Sequence, residues 1–238
     1  MSQENKESSP LRSFGRRKGR NLRPTKQGLF DTLLPKIEIK KIRSREDENE
    51  SSFLDFLPSP VLPLWLEIGF GGGEHLAHQA GLHPEVQFIG CEPYVNGIAG
   101  LLSHIEEHKL NNIRIYSDDA RDLINSLPDN SLERVFILYP DPWPKTRHHK
   151  RRIISREFLD SLTRVMKPDA ELRLATDSAD YATWMLERLL AHKNFKWTAK
   201  TCEDWLNPPA EWISTRYEQK ALAGRPTYLN FIRITDNG

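Results

Sequence analysis

Short apolar runs alternate with longer amphipathic stretches through the middle of this chain. The apolar runs have the length of buried parallel strands, and we predict strands over Leu64–Ile68, Gln87–Cys91, 113–117, 134–138 and 171–175. The stretches between them have helical spacing, which predicts helices over 73–81, 94–109, 119–126, 154–166 and 178–192. This alternation is typical of a parallel sheet with helices on both of its faces.

The pattern changes at both ends of the chain. Two further strands are predicted over 195–199 and 227–234, separated by a loop-rich piece that contains Trp and Pro. Residues 1–28 are polar and rich in Ser, Gly and Arg, and residues 44–52 form a charged linker. A composition of this kind predicts a mobile segment in front of the folded part.

Charge is unevenly distributed along the chain. The formal net charge is only +1, yet residues 1–45 carry 13 Lys and Arg against 4 Asp and Glu, so the remainder is acidic. A basic segment on an acidic body suggests a polyanionic partner such as nucleic acid, and a solubilising tail is the alternative. We therefore predict a basic, largely flexible arm and linker over 1–52 and one folded domain over 53–238.

Composition excludes several classes of protein. The chain is 38% hydrophobic, which supports a core, but no apolar run approaches the length of a bilayer span and no signal peptide precedes residue 30. Cys91 and Cys202 fit free thiols in a reducing compartment. We expect a cytoplasmic protein without membrane contact or an obligatory protein partner, either a monomer or a homodimer.

Ligands in such sheets bind outside the carboxyl ends of the strands, so the residues there are candidates for chemistry. At the end of the first strand, Glu67 precedes a glycine turn that includes Gly69 and Gly71 and lets the backbone approach a ligand. An acid there would repel a pyrophosphate and attract the cationic end of a cofactor. The chain has no Gly-Lys-Ser/Thr, which excludes a nucleoside-triphosphate loop.

Acids also follow the second and third strands. Glu92 lies about twenty residues past the glycines, a spacing at which a carboxylate accepts hydrogen bonds from ribose hydroxyls. An ordinary acid near a helix start is the alternative. Of Asp118 and Asp119, one could accept the exocyclic amine of adenine and one could cap the next helix. Acids after three strands favour S-adenosylmethionine over a dinucleotide.

The loop after the fourth strand is the most distinctive segment of the chain. It reads Tyr139-Pro140-Asp141-Pro142-Trp143-Pro144-Lys145. The prolines stiffen it and hold the acid and the indole in place, and the indole could stack on a base or simply pack in the loop. The cations that we expect to neutralise phosphates are Lys145, Arg147, Lys150, Arg151 and Arg152. No metal is predicted, since His75 and His78 have no third ligand nearby in sequence.

With these residues the chain resembles the bacterial tRNA (guanine-N7-)-methyltransferases. The resemblance extends from the basic arm nearly to the end, and it depends on Glu67-Ile68-Gly69-Phe70-Gly71, Tyr139 to Lys145, Ala175-Thr176-Asp177 and Thr215-Arg216-Tyr217-Glu218. It implies a Rossmann-like class I S-adenosylmethionine-dependent methyltransferase fold of the α/β class, with a mostly parallel seven-stranded sheet. It also implies methyl transfer to N7 of guanosine 46 in the variable loop of tRNA.

The resemblance further implies roles for individual residues. S-adenosyl-L-methionine would contact Glu67, Gly69, Gly71, Glu92, Asp119 and Asp141. The tRNA would contact Lys145, Asp177, Thr215, Arg216, Tyr217 and Glu218. Asp141 would be the catalytic residue, either by orienting guanine or by electrostatics, and of the acidic doublet we favour Asp119, which directly precedes Ala120.

Other functions stay open at the level of sequence. A methyltransferase of the same fold could act on another RNA base or on a protein. A nicotinamide-dependent oxidoreductase is disfavoured by Glu67 and by the proline-rich loop. An RNA-binding module without catalysis is disfavoured by the intact set of cofactor residues.

Overall fold

A seven-stranded sheet organises the molecule. The computed structural model describes residues 15, 17–40, 62–214, 218 and 224–235. The strands are β1 (Leu64–Ile68), β2 (Gln87–Cys91), β3 (Ile113–Tyr116), β4 (Leu132–Leu138), β5 (Met166–Thr176), β6 (Phe195–Trp197) and β7 (Thr227–Arg233). All five strands predicted for the central part of the chain and both C-terminal strands are therefore confirmed, although β5 begins five residues earlier and β6 ends two residues earlier than predicted.

Helices connect most of these strands. They are α1 (Pro24–Thr32), α2 (Leu34–Ile37), α3 (Glu74–Leu82), α4 (Val95–His108), α5 (Ala120–Ser126), α6 (Arg156–Val165), α7 (Ala179–Leu190) and α8 (Glu203–Leu206). A 3₁₀ helix spans Thr146–Arg151. Within the described part of the chain, no helix is both long and apolar enough to cross a bilayer.

The order of the strands is β3-β2-β1-β4-β5-β7-β6. Among the described strands, β7 alone runs in the direction opposite to the other six, so the predicted mostly parallel sheet is confirmed. Ile68 pairs with Cys91 on one side and with Ile137 on the other. The carboxyl ends of β1, β2 and β4 are therefore level, and the segments that follow them meet at one edge of the sheet.

Each face of the sheet has its own apolar core. Leu64, Leu66 and Ile68 of β1 point to the face that α5, α6 and α7 cover. Trp65 points to the opposite face, which α3 and α4 cover. Successive residues of a strand alternate between faces, so a strand buried on both sides reads as a continuous apolar run.

The first two helices were not predicted from the sequence, which places their residues in the basic arm. Pro24 opens α1 at a position where its missing N–H costs no hydrogen bond. Leu29 and Phe30 then pack against the core on the α3 and α4 face. The Ile39 N–H donates to the Ile115 carbonyl at 2.8 Å, which fixes this segment to β3. Residues 41–61 lie outside the described residues, and the division at 52 stays a prediction.

Candidate active site

A cavity of about 350 Å³ opens at the carboxyl ends of β1 to β4. Its wall is formed by the segments that follow these strands and by part of the basic loop. The residues that line it are Gly15, Ile68, Gly69, Cys91, Glu92, Pro93, Asp118, Asp119, Ala120, Arg121, Ile137, Tyr139, Pro140, Asp141, Trp143, Arg151 and Ile153. Four of the predicted site residues therefore share one cavity wall, and they come from four separate strand ends.

The glycine turn forms an open cradle on this wall. Gly69 and Gly71 have φ angles of 74° and 55°, which side chains rarely tolerate. A Cβ at either glycine would meet no described atom within 4 Å, so the space next to the turn is free. On the helix side the fit is tight, because a Cβ at Gly97 of α4 would lie 2.3 Å from the Gly71 carbonyl oxygen.

Glu92 links the glycine turn to the start of α4. Its Oε2 accepts a hydrogen bond from the Gly71 N–H at 2.9 Å, and its Oε1 accepts one from the Tyr94 N–H at 3.0 Å. Burial raises the pKa of this carboxyl, and the two amides oppose the shift. Each oxygen still has a lone pair for a ligand hydroxyl. The buried acid and the open cradle fit an adenosine cofactor with a ribose.

The two acids that follow β3, Asp118 and Asp119, make different contacts. Asp119 is the N-cap of α5 and accepts a hydrogen bond from the Arg121 N–H at 2.9 Å. Asp118 forms an ion pair with Arg17 of the N-terminal segment, at 2.5 Å. The capping role considered from the sequence therefore falls to Asp119. Because both carboxylates line the cavity, the contact of Asp119 with adenine stays a prediction.

Glu67 is placed differently from the other acids. Among the described residues it does not line this cavity, because it alternates with its neighbours on β1 and points towards α3. It is buried, and its Oε2 lies 2.7 Å from Nδ1 of His75. The His75 ring packs against Phe136 and Trp212, with centroids 4.9 and 5.3 Å away. Contact of Glu67 with the cofactor stays a prediction.

The loop that carries Asp141 is held in an unusual conformation. Tyr139 and Trp143 flank the aspartate with φ angles of 51° and 44°, a region that costs free energy for residues other than glycine. The Tyr139 N–H donates to the Ala175 carbonyl at 2.8 Å, which fixes the start of the loop. Asp141 is exposed to the cavity, and the surrounding protein raises its pKa by desolvation.

The basic segment that follows this loop has some side chains on the surface and one in the interior. Lys145, Arg147 and Lys150 are exposed on or beside the 3₁₀ helix. Arg151 is half-buried, and its guanidinium lies 4.9 Å from the centre of the Trp143 ring. Arg152 is 2% exposed, so its predicted contact with phosphate is wrong. Trp143 thus packs against a neighbouring arginine while it lines the cavity.

Two of the predicted substrate residues, Asp177 and Glu218, lie near the carboxyl end of β5. Asp177 follows that strand and is buried. Thr215, Arg216 and Tyr217 lie outside the described residues, and their predicted contacts with tRNA stay predictions. Glu218 is described, and its carboxylate accepts hydrogen bonds from two aromatic side chains.

Glu218 sits in a polar aromatic cluster that the sequence did not predict. Trp212 Nε1 donates to it at 3.1 Å, and the Tyr228 hydroxyl donates at 2.8 Å. Desolvation raises the pKa of Tyr139, and a hydrogen bond with Glu218 adds to the shift. The cluster therefore connects the segment before β7 to the loop that carries Asp141. The three aromatic partners are far apart in the chain, and no spacing marks them.

One group of metal-ligating side chains occurs in the described part of the chain. His104, Glu107 and His108 of α4 offer ligand atoms within 4.8 Å of one another. They stand towards the far end of α4 from the cavity, and two of the three are exposed. The group is separate from the cavity wall, and the absence of a metal at the active site stays a prediction.

Relatives of known activity match nearly the whole chain. Residues 62–229 match a family described as "Putative methyltransferase". A tRNA (guanine-N(7)-)-methyltransferase of Caulobacter vibrioides is 51% identical over 225 residues, which cover 94% of this chain and 96% of that protein. One of Rhodospirillum rubrum is 47% identical over 233 residues, which cover 96% of this chain and 90% of that protein.

A solved structure supports the fold. The crystal structure of the 16S rRNA methyltransferase KamB matches with a TM-score of 0.57 and 15% identity, covering 77% of this chain and 93% of that one. At this identity the likeness shows the fold alone. Together with the strand order, it confirms the Rossmann-like class I methyltransferase fold that the resemblance implied.

Proposed function

The chain belongs to the tRNA (guanine-N(7)-)-methyltransferase family, and from this membership we propose that it transfers the methyl group of S-adenosylmethionine to N7 of guanosine 46 in the variable loop of tRNA. The observation that carries the proposal is the single cavity that Gly69, Glu92 and Asp141 share. A glycine cradle, a ribose acceptor and an acid on a rigid loop are what this reaction requires of a site.

The cofactor residues are assigned by what each can bind. S-adenosylmethionine supplies a methyl group on a sulfonium, which makes that carbon an electrophile. Gly69 and Gly71 would let the backbone approach the ligand, and Glu92 would accept hydrogen bonds from the ribose hydroxyls. Asp119 would accept the adenine amine. Glu67 would act from beneath the glycine turn, with His75 as its partner.

We propose Asp141 as the catalytic residue. N7 of guanine carries a lone pair and no proton, so its attack on a methyl carbon needs no general base. The methylated ring is cationic, and an anion held nearby lowers the energy of the transition state. Asp141 can provide that charge, or it can hold the amino edge of guanine in line for attack. The electrostatic role needs the ionised carboxylate, and the ionised form is also the stronger acceptor for the amino edge.

The tRNA would bind on the side of the basic loop. Lys145, Arg147 and Lys150 present positive charge beside the cavity, and each phosphate they neutralise would release counterions. Asp177, Glu218 and the neighbouring 215–217 segment would contact the substrate. A tRNA substrate implies a cytoplasmic enzyme. The expectation of either a monomer or a homodimer stays a prediction.

The test is methylation of unmodified tRNA with labelled S-adenosylmethionine, followed by nucleoside analysis. We expect label in 7-methylguanosine and none in a tRNA whose guanosine 46 is replaced by adenosine. Label in a different nucleoside would support the same fold acting on another RNA base. Equal labelling of both tRNAs would contradict the assignment to position 46.

A further inference from the structure

Arg152 is the most deeply buried charged side chain near the proposed catalytic loop. Its side chain is 1% exposed, although it ends a strongly basic run. Burying a guanidinium is costly unless its donors and its charge are satisfied. The contacts that satisfy it therefore show what this residue does in the fold.

Three kinds of contact hold the Arg152 guanidinium. Nε donates to the Pro142 carbonyl at 2.8 Å. Nη2 pairs with the Asp180 carboxylate at the start of α7. The guanidinium carbon also lies 4.9 Å from the centre of the Tyr181 ring and 4.7 Å from that of Trp184. Asp180, Tyr181 and Trp184 all belong to α7, which packs on the sheet. The helix therefore gives the guanidinium a rigid support.

The bond to Pro142 fixes the residue that follows Asp141. The Asp141 loop lies beyond the end of β4, and two of its residues, Tyr139 and Trp143, adopt left-handed backbone conformations. The Tyr139 N–H holds the loop on the sheet side, and the Arg152 side chain holds it on the α7 side. Without this second tether the proline carbonyl would be free to turn, and the carboxylate would move with it.

We propose that Arg152 is a positioning residue for methyl transfer. It acts through the Pro142 carbonyl to hold Asp141 at the distance and angle that the reaction needs, and α7 is the fixed support. The proposal rests on the proposed function, since it presumes that Asp141 is the catalytic group. It assigns to Arg152 a role inside the protein, in place of contact with phosphate.

The test uses the conservative variant Arg152→Lys. A lysine keeps the positive charge near Asp180 but lacks the planar group that reaches two acceptors and contacts two aromatic rings. We expect the single-turnover rate of methylation, at saturating tRNA and S-adenosylmethionine, to fall by roughly 10- to 100-fold. The affinity for each substrate, measured by calorimetry, should stay at the wild-type value.

Arg164→Lys is the matched control. Arg164 ties α6 to the Leu127 and Ile124 carbonyls and to Asp129, away from the cavity. Its replacement should lower the melting temperature and leave the single-turnover rate of the folded enzyme unchanged. The control separates a general loss of stability from a loss of geometry at Asp141.

A second variant tests the positioning role of Arg152 if Arg152→Lys does not fold. Asp180→Asn changes a carboxylate that is 65% exposed, leaves the Pro142 contact in place and weakens the anchor on α7. We expect a smaller fall in the same rate, again at unchanged affinities.

Two results would overturn the proposal. One is a wild-type rate in both anchor variants, and the other is an equal loss of rate in Arg164→Lys. Wild-type enzyme runs in parallel throughout. If it forms no 7-methylguanosine at position 46, the proposed function fails by itself, independently of any result on Arg152.

Discussion

At the scale of single residues, Glu92 combines an observed structural role with a proposed role in cofactor binding. The sequence alone predicts that Glu92→Ala would leave folding intact, but the carboxylate is buried and accepts hydrogen bonds from two backbone amides. We expect this variant to lower cofactor affinity by about 1–3 kcal/mol and also to lower the melting temperature, because both amides lose their acceptor.

Calorimetric titration with S-adenosylmethionine and thermal unfolding measure the two effects of Glu92→Ala separately. Glu92→Gln is the matched control, since it keeps the shape and one acceptor oxygen. It should recover part of the stability. An unchanged cofactor affinity in Glu92→Ala would remove this residue from the site.

Asp141 should impose an acidic limb on the pH dependence of methyl transfer. Desolvation raises its pKa above the ordinary aspartate value, and the reaction needs the ionised form. The single-turnover rate should therefore rise with pH through that raised pKa and then level off. Asp141→Asn should be slow and should lack the part of the limb that belongs to this carboxyl. A wild-type rate in Asp141→Ala would contradict the catalytic assignment.

The same pKa shift predicts a cost in stability. A carboxyl whose pKa is raised by folding stabilises the folded state only while it is protonated, and this contribution is lost as the pH rises through the folded pKa. At neutral pH the ionised, partly desolvated Asp141 therefore lowers the free energy of unfolding. Asp141→Asn should melt at a higher temperature than wild type at pH 7, and the difference should shrink in acid.

At the scale of elements, the 3₁₀ helix with its exposed cations should set the salt dependence of tRNA binding. Replacing Arg147 and Lys150 by alanine should lower the slope of log affinity against log salt by somewhat under about one unit for each phosphate that is no longer neutralised. Cofactor affinity should be unchanged. Lys196→Ala on β6, at the far edge of the sheet, is the control and should bind as wild type does. Identical slopes in all three proteins would exclude this surface from RNA contact.

The elements that the sequence predicted best are those buried on both sides. The ends of β1 and β2 agree with the prediction, because a doubly buried strand is mostly apolar and is followed by turn residues. The start of β5 was not predicted, since its early residues include Pro168 and a left-handed Asp169 and resemble a turn. The sequence did not predict α1 because the few apolar residues of this helix lie among polar and charged residues.

At the scale of the whole molecule, the N-terminal segment lies against the proposed cofactor site. Arg17 pairs with Asp118, and its carbonyl accepts the Val95 N–H at 3.0 Å. The Asn96 side chain accepts the Gly19 N–H at 3.0 Å and donates to the Arg20 carbonyl at 2.8 Å. The sequence predicts that removal of residues 1–28 would spare the cofactor. The contacts predict otherwise, and a deletion there would also cut α1.

Two truncations test this segment. Removal of residues 1–14, where Lys6 and Arg12 are balanced by Glu4 and Glu7, should leave tRNA affinity, its salt slope and cofactor affinity near the wild-type values. Removal of residues 1–22 should weaken the binding of both substrates, because Gly15 and Arg17 leave the cavity rim. Equal cofactor affinity in the two truncated proteins would show that the segment is a bystander at this site.

The site as a whole was predictable as far as strand order determines it. Glu92, Asp119 and Asp141 follow three different strands, and parallel strands bring their carboxyl ends to one edge. The partners of the other acids were not predictable in the same way. His75 contacts Glu67, Arg17 contacts Asp118 and Trp212 contacts Glu218. These pairs join different segments of the chain, and only the packing of the complete fold shows them.

The position of β7 constrains when the enzyme can first work during its own synthesis. This strand is the last of the seven along the chain, yet it lies between β5 and β6 and carries Tyr228, which holds Glu218. Until β7 has been synthesised, β5 and β6 of a nascent chain lack the strand that lies between them. The strands next to the glycine cradle, β1 to β4, are synthesised before β7, whereas the half that would receive tRNA is completed only once β7 has emerged. An unfinished polypeptide therefore lacks part of the surface that would bind the tRNAs around the ribosome.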